Sequence, residues 1–310
     1  MFLSIAEMVC PVILMFLLGW VCHRRQIFSF EGLGGIKSLV SRMLLPVVLF
    51  NAFFSAEYSG KIALTFGVVY LSCALGLAAG FLLRRLVRPY GRFLPFLTTN
   101  FEGGMMGYAL FGLLYPGQTG VFAMADIGQT LAAFTFFMIT LQAVSTGRSQ
   151  PKALLRDAVR NPVLIAIVLG VVLGATGVGK LVLGSAVGGL VQRVIDFIAA
   201  PVSGLILVIV GYELSFRREL MRPVLITVGL RLAVMAALLA LVSAVIFSII
   251  PFDRQLFTAL LLAYSLPAPF IIPLYADLSG DGEYLSTTLS MQTLVSILLF
   301  IGIAAYSLAA

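Results

Sequence analysis

Between Thr98 and Pro116 the chain reads TTNFEGGMMGYALFGLLYP. The run lies in an apolar, membrane-spanning region, yet Asn100 to Gly107 brings in an amide, a carboxylate and three glycines. Non-helical backbone at bilayer depth persists only where protein or a water-filled cavity satisfies its N–H and C=O groups. A carboxylate at that depth is costly and marks a functional site by default. The segment is therefore expected to be the broken, polar middle of a helix that lines a substrate site.

The rest of the chain supports a membrane setting. Of its 310 residues 61% are hydrophobic and 11% charged, against roughly 25% charged in soluble domains. The net charge of +7 comes from short clusters between apolar runs rather than from a basic face or arm. A nucleic-acid partner is therefore not expected. Cys10, Cys22 and Cys73 fall in or beside apolar runs, with neither disulfide-framework nor zinc spacing. The opening MFLSIAEMVC lacks a basic stretch and a small-residue cleavage site, so the first apolar run reads as a retained span. With one histidine and no HExxH, GxSxG or phosphate-binding loop, the sequence offers no catalytic constellation and no ATP site. An enzyme is not expected.

About 20 apolar residues cross a bilayer. That length gives ten candidate spans, at about 4–22, 36–55, 62–83, 94–114, 120–144, 161–178, 190–213, 223–249, 256–276 and 285–308. Arginines and lysines concentrate after the odd spans: Arg24 and Arg25; Arg84, Arg85, Arg88 and Arg92; Arg148, Lys152, Arg156 and Arg160; Arg217, Arg218 and Arg222. The even loops carry only Lys61, Lys180 and Arg254. Positive charge stays on the cytoplasmic side, so both termini are expected outside the cytoplasm, with the chain in the plasma (inner) membrane.

The chain also repeats itself. CPVILMFLLG at 10–19 matches NPVLIAIVLG at 161–170, Pro46 pairs with Pro201, and Gln129-Thr130-Leu131 pairs with Gln292-Thr293-Leu294. The matches are collinear. They predict a first five-helix half over 1–147, a linker at 148–160 and a second half over 161–310. Five spans per half invert the second copy, as in many secondary transporters, whose sites form where broken helices meet near the midplane. The partner of NFEGGMMG is then SLPAPFIIPLY at 265–275, where Pro267, Pro269 and Pro273 each remove a backbone donor and clash with the preceding turn.

Several residues carry two readings. Glu102 is either a titrating or cation-coordinating carboxylate, or a helix-end glutamate paired with one of Arg84 to Arg92. Asn100 suits a substrate carboxylate or an opened backbone, and equally an N-cap. Gly103, Gly104 and Gly107 permit close approach, at a ligand or between helices. Asp126 has Thr130 one turn on and Gln129 beside it, at a site or at the interface. Thr288, Gln292 and Ser296 form one stripe, either interhelical glue or an ion path. Arg231, Glu213, Arg193 and Asp196 read as interfacial or structural, and His23 as solvated.

Taken together, LLPVVLFN at 44–51, the 98–117 segment, ADIGQTLAAFTFF at 125–137, NPVLIAIVLG, VGYEL at 210–214, LPAPFIIPLYA at 266–276 and LST at 285–287 resemble the auxin efflux carrier family, which holds plant PIN carriers and many bacterial permeases. The resemblance runs over essentially the whole chain. It implies an all-α integral membrane protein of ten transmembrane helices in two inverted five-helix repeats, related to bile acid:sodium symporters. Helices 1, 2, 6 and 7 would form a scaffold, and helices 3–5 and 8–10 a mobile transport domain. Helices 4 and 9 would be broken and crossing, with Asn100 and Pro267 at the crossover. Where family members often carry Gly-x-Pro, this chain has Gly107-Tyr108-Ala109, and Glu102 departs from the plant pattern.

The resulting expectation is a secondary transporter of small organic anions with elevator-type alternating access. Substrate contacts are expected at Asn100, Gly103, Gly104, Gly107, Ser265, Pro267 and Pro269. Ion or proton coupling is expected at Glu102, Asp126, Gln129, Thr130, Gln292 and Thr293, with Na+ or H+ as the coupling ion and no other cofactor. A sodium symporter of the bile acid type and a non-transporting ligand sensor are the alternatives. The expected surroundings are the lipid bilayer, with a homodimer as an open assembly.

Overall fold

The computed structural model describes residues 2–56, 60–147, 156, 160–275 and 281–308. Most of the expected linker at 148–160 lies outside these residues, as do Glu57 and Asp277. Every regular element among the described residues is helical. In order they are α1 (Phe2–Arg25), α2 (Phe30–Leu39), α3 (Leu45–Phe54), α4 (Gly60–Leu83), α5 (Leu94–Leu97), α6 (Tyr108–Leu114), α7 (Thr119–Ala132) and α8 (Met138–Thr146). Then follow α9 (Pro162–Ala175), α10 (Val178–Leu183), α11 (Gly188–Ala199), α12 (Val202–Tyr212), α13 (Met221–Ile249), α14 (Arg254–Ser265), α15 (Ile272–Tyr275) and α16 (Gly282–Leu308).

Several neighbours are continuous through a local distortion. A π-turn at Val40–Leu44 joins α2 to α3 just before Pro46, which has no N–H to give to an i−4 carbonyl. Another π-turn at Ala133–Phe137 joins α7 to α8, and α11 bends into α12 at Pro201. Counted this way, seven helices among the described residues are long and apolar enough to cross a membrane. The fourth, sixth and ninth expected spans are shorter as helices. The fourth is α5 and α6 separated by the non-helical stretch 98–102, the sixth is α9 alone, and the ninth is α14 followed by the break at 266–271.

Two intimate pairs form one side of the molecule: α1 on α12, and α3 on α9. Lipid is as apolar as leucine, so such pairs depend on close packing rather than on expulsion of water. Glycine supplies the closeness. A Cβ on Gly19 would strike the Val208 carbonyl, and one on Gly211 the Phe16 carbonyl, so α1 and α12 each recess to admit the other's backbone. Gly170 does the same for α9 against Phe50 of α3. On the other side α4 packs on α7, α14 on α7, and α13 on α4, α14 and α16. Because a backbone carbonyl cannot swing aside, Gly211→Ala is expected to cost about 1–3 kcal/mol as overpacking, despite the better helix propensity of alanine. The control is Gly34→Ala, whose new Cβ meets nothing within 4 Å and which should gain up to about 1 kcal/mol. Thermal unfolding in detergent reads both; equal melting temperatures would contradict the close-packing account.

The helix ends are tied in two groups. At one end Lys37 pairs with Glu213 at 2.6 Å, Arg92 with Asp281 at 2.7 Å and Arg217 with Glu283 at 2.7 Å. At the other Lys61 meets Asp253 at 3.8 Å, and Arg254 donates to the carbonyl of Tyr306.

Candidate functional site: the joined helix breaks

The second break shows how an open backbone is kept satisfied. Across 266–271 the prolines leave fewer donors to place. The Leu266 N–H returns to the Ala263 carbonyl at 3.2 Å, the Ala268 N–H goes to Gln292 Oε1 at 2.9 Å, and the Phe270 N–H goes to Glu102 Oε2 at 2.7 Å. The carbonyl of Ser265 accepts from Ser296 Oγ at 2.6 Å, and that of Pro267 accepts the Glu102 N–H at 2.9 Å. Apart from the Ala263 carbonyl one turn back, each partner lies on another element, so the break exists only within the folded protein.

The first break is turned by Asn100, whose φ of +49° falls in the left-handed region that asparagine tolerates better than most residues. Its side chain is 2% exposed and donates from Nδ2 to the carbonyl and Oε1 of Gln129, at 3.1 and 3.3 Å. Gln129 in turn donates from Nε2 to Asp126 Oδ1 at 2.7 Å, and Thr130 Oγ1 lies 3.4 Å from Asp126 Oδ2. Gly103 is wedged against this cluster; a Cβ there would collide with the Asp126 carboxylate. A Cβ at Gly107 would enter the Phe122 ring. Gly104 has only ordinary contacts, and nothing in the packing requires glycine there.

Glu102 is the hinge between the two breaks. Oε1 accepts the Met105 N–H at 3.1 Å, capping the turn at Gly103–Gly107, while Oε2 accepts from Phe270 of the other break. None of the arginines Arg84 to Arg92 approaches it as an ion pair among the described residues. The carboxylate instead takes two backbone donors, from Met105 and Phe270.

The sequence expectation was incomplete at Arg231. Instead of sitting at an interface, it lies well inside α13, 3% exposed. Its guanidinium donates to carbonyls of both breaks: Leu97 at 3.0 Å, Asn100 at 2.8 Å and Leu266 at 2.7 Å, with Thr99 farther at 3.4 Å. The signal that could have found it is its place in VGLRLAVMAALL, a lone cation in an apolar run. Gln292 makes a second tie, donating from Nε2 to the Leu97 carbonyl at 3.1 Å. In the stripe on α16, Gln292 and Ser296 thus each bond the backbone of another element.

The structure therefore brings Asn100, Glu102, Gly103, Gly107, Asp126, Gln129, Thr130, Pro267 and Gln292 into one assembly. Ser265 turns its hydroxyl back to the Leu261 carbonyl at 2.5 Å and takes part through its backbone. Thr293 bonds the Leu289 carbonyl and faces an adjacent cavity, and the Pro269 carbonyl starts α15 by accepting from Ile272. The cavity, about 500 Å³, reaches from Phe270 beside the breaks to Lys37, Tyr212 and Glu213. That volume lies within the range of small-molecule sites.

Comparison with known proteins places the chain among membrane transport proteins. An uncharacterized transporter of Methanothermobacter thermautotrophicus is 24% identical over 307 residues, covering 96% of each chain. Residues 4–303 match the family model described as membrane transport protein. With that match over nearly the full length, the chain belongs to the auxin efflux carrier-like family of membrane transport proteins, and it is a transporter rather than an enzyme.

Proposed function

We propose that the protein is a secondary transporter of small organic anions, working by elevator-type alternating access in the plasma membrane. The observation that carries this reading is the pair of non-helical segments, 98–102 and 266–271, joined at Glu102, Pro267 and Phe270 inside an apolar helical protein. Two opened helices meeting in this way are the usual site of secondary transporters. Ten spans in two inverted halves fit the packing. Exchanging the halves turns the α1–α12 pair into the α9–α3 pair, and both are present. The ion pairs fit as well, since each joins loops that this topology places on one side. The α1, α3, α9 and α12 group would be the scaffold and the remaining long helices the moving part.

Transport would be driven by a proton or sodium gradient or by membrane potential, with Glu102 and Asp126 as the coupling carboxylates. A thermal-shift screen of organic acids, with and without sodium at constant ionic strength, identifies the ligand, because whatever binds the folded state stabilises it. In proteoliposomes Asn100→Ala is expected to lose that ligand's flux. Asn100→Gly, which accepts positive φ without a Cβ, separates loss of the amide from loss of the turn. Flux unchanged in both variants would reject the site. A sodium-specific stabilisation that disappears in Asp126→Asn would establish sodium rather than proton coupling.

A further inference from the structure

At the end of the molecule where Lys37 pairs with Glu213, Arg92 with Asp281 and Arg217 with Glu283, five further arginines are left over. Among the described residues Arg84, Arg85, Arg88, Arg218 and Arg222 make no ion pair, and all five are exposed. Glu219 stands among them as a single opposing charge. They fall on two segments, the turn 84–88 that follows α4 and the start of α13. The segments are neighbours: the turn packs on α13, and Val87 and Val224 are buried in one apolar cluster. Along both segments charge and apolar surface come in the same order. Since α4 runs toward this end, exposed Leu82 precedes the arginines and lies on their membrane side. Since α13 runs away from it, exposed Leu225 and Ile226 follow Arg222 and again lie on the membrane side.

We propose that these two segments form a binding site for one anionic phospholipid. Its phosphate is held by Arg85 and Arg88 of the turn and Arg222 of α13, and its acyl chains lie along Leu82, Leu225 and Ile226. Charge complementarity selects the occupant. Guanidinium groups take phosphate oxygens in bidentate fashion, and basic pockets between transmembrane helices on the cytoplasmic side take anionic headgroups. Retention of positive charge on that side accounts for arginines at this end. It asks nothing of their grouping across two packed elements, nor of exposed apolar residues directly beneath them. A soluble phosphate would use the arginines alone, whereas a lipid uses both. The site shares no residue with the joined breaks and does not depend on the transport reading.

The test uses the full chain in a nonionic detergent, with dioleoylphosphatidylglycerol as probe and dioleoylphosphatidylcholine as its zwitterionic counterpart. Melting temperature is followed as each lipid is added, and native mass spectrometry counts the lipid retained. Phosphatidylglycerol is expected to stabilise the protein saturably and phosphatidylcholine is not, because a ligand of the folded state raises its stability. Arg85→Gln and Arg222→Gln should each weaken phosphatidylglycerol about fivefold, the share of one basic residue at an anionic headgroup. Arg25→Gln is the control: Arg25 is exposed at the end of α1, outside the two segments, and its loss should leave binding unchanged. Glycerol phosphate, which offers the phosphate without acyl chains, should not stabilise. Equal stabilisation by the two lipids would leave the arginines as orientation signals only and overturn the proposal. Equal weakening in Arg25→Gln would reduce the effect to general surface charge, and stabilisation by glycerol phosphate would make this a site for soluble phosphate. Either result overturns it as well.

Discussion

Arg231→Met is expected to reduce transport on the order of 100-fold while changing stability far less. The two effects separate because two costs nearly cancel. Removing the guanidinium orphans the carbonyls of Asn100 and Leu266, at about 1–3 kcal/mol each; Leu97 keeps its bond from Gln292. Removing a buried cation also recovers the cost of holding a charge at membrane depth, roughly 2.5–3.5 kcal/mol on insertion scales. The net change is then centred near a loss of about 1 kcal/mol, with a span of about −1.5 to +3.5 kcal/mol. The geometry has no such compensation. Arg231 reaches Leu97 and Asn100 of one break and Leu266 of the other through one rigid group, and a displacement of about 1 Å at a reacting or binding centre can cost 100-fold. Arg231→Lys should not restore function, because a shorter point charge cannot reproduce a planar fork that spans both breaks. Flux and melting temperature measured on the same preparations decide the matter. A fully active Arg231→Met would remove the residue from the site, and restoration by lysine would reduce its role to charge.

Glu102→Ala is expected to lower stability by about 2–4 kcal/mol, since two charge-assisted bonds to backbone donors disappear together. Transport should be lost as the Phe270 and Met105 N–H groups lose their shared acceptor. Glu102→Gln keeps only one acceptor oxygen and turns an NH2 toward the second donor, so it should resemble alanine more than glutamate. Formate supplies the missing group. It should raise the melting temperature of Glu102→Ala saturably and leave the wild type unchanged, because in the wild type the position is filled. Equal responses of the two proteins would show that Glu102 is not the carboxylate held by these donors. Rescue of Glu102→Ala alone would recast the residue's presence near an anion route: it would be a fastener for the two breaks rather than a substrate contact.

The sequence was most informative where polarity conflicted with its surroundings. NFEGGMMG and the proline run at 265–275 were legible as breaks because neither can continue a helix through lipid, whatever packs against them. Their pairing was legible too, through the collinear repeats. Arg231 was not, because distance along the chain from a span boundary says little about depth when the boundary itself is uncertain by several residues. The dual readings at Glu102, Gln292 and Ser296 stayed open for a related reason. Each side chain bonds backbone more than 30 residues away or on another helix, and no local pattern encodes such a partner. Gly19 and Gly211 likewise look like any membrane glycines until the facing carbonyls are known.

By itself the sequence determined the class of protein: an apolar helical membrane chain with interrupted segments. Hydrophobic length, loop charge and proline are properties of single segments, and lipid imposes their consequences directly. The tertiary structure decided which groups close the open backbone and where a charged ligand can still find a partner. Hydrogen bonds are short and directional, so their assignment requires the elements to be in place. That is why Glu102 and Arg231 acquire their roles only where the two breaks meet.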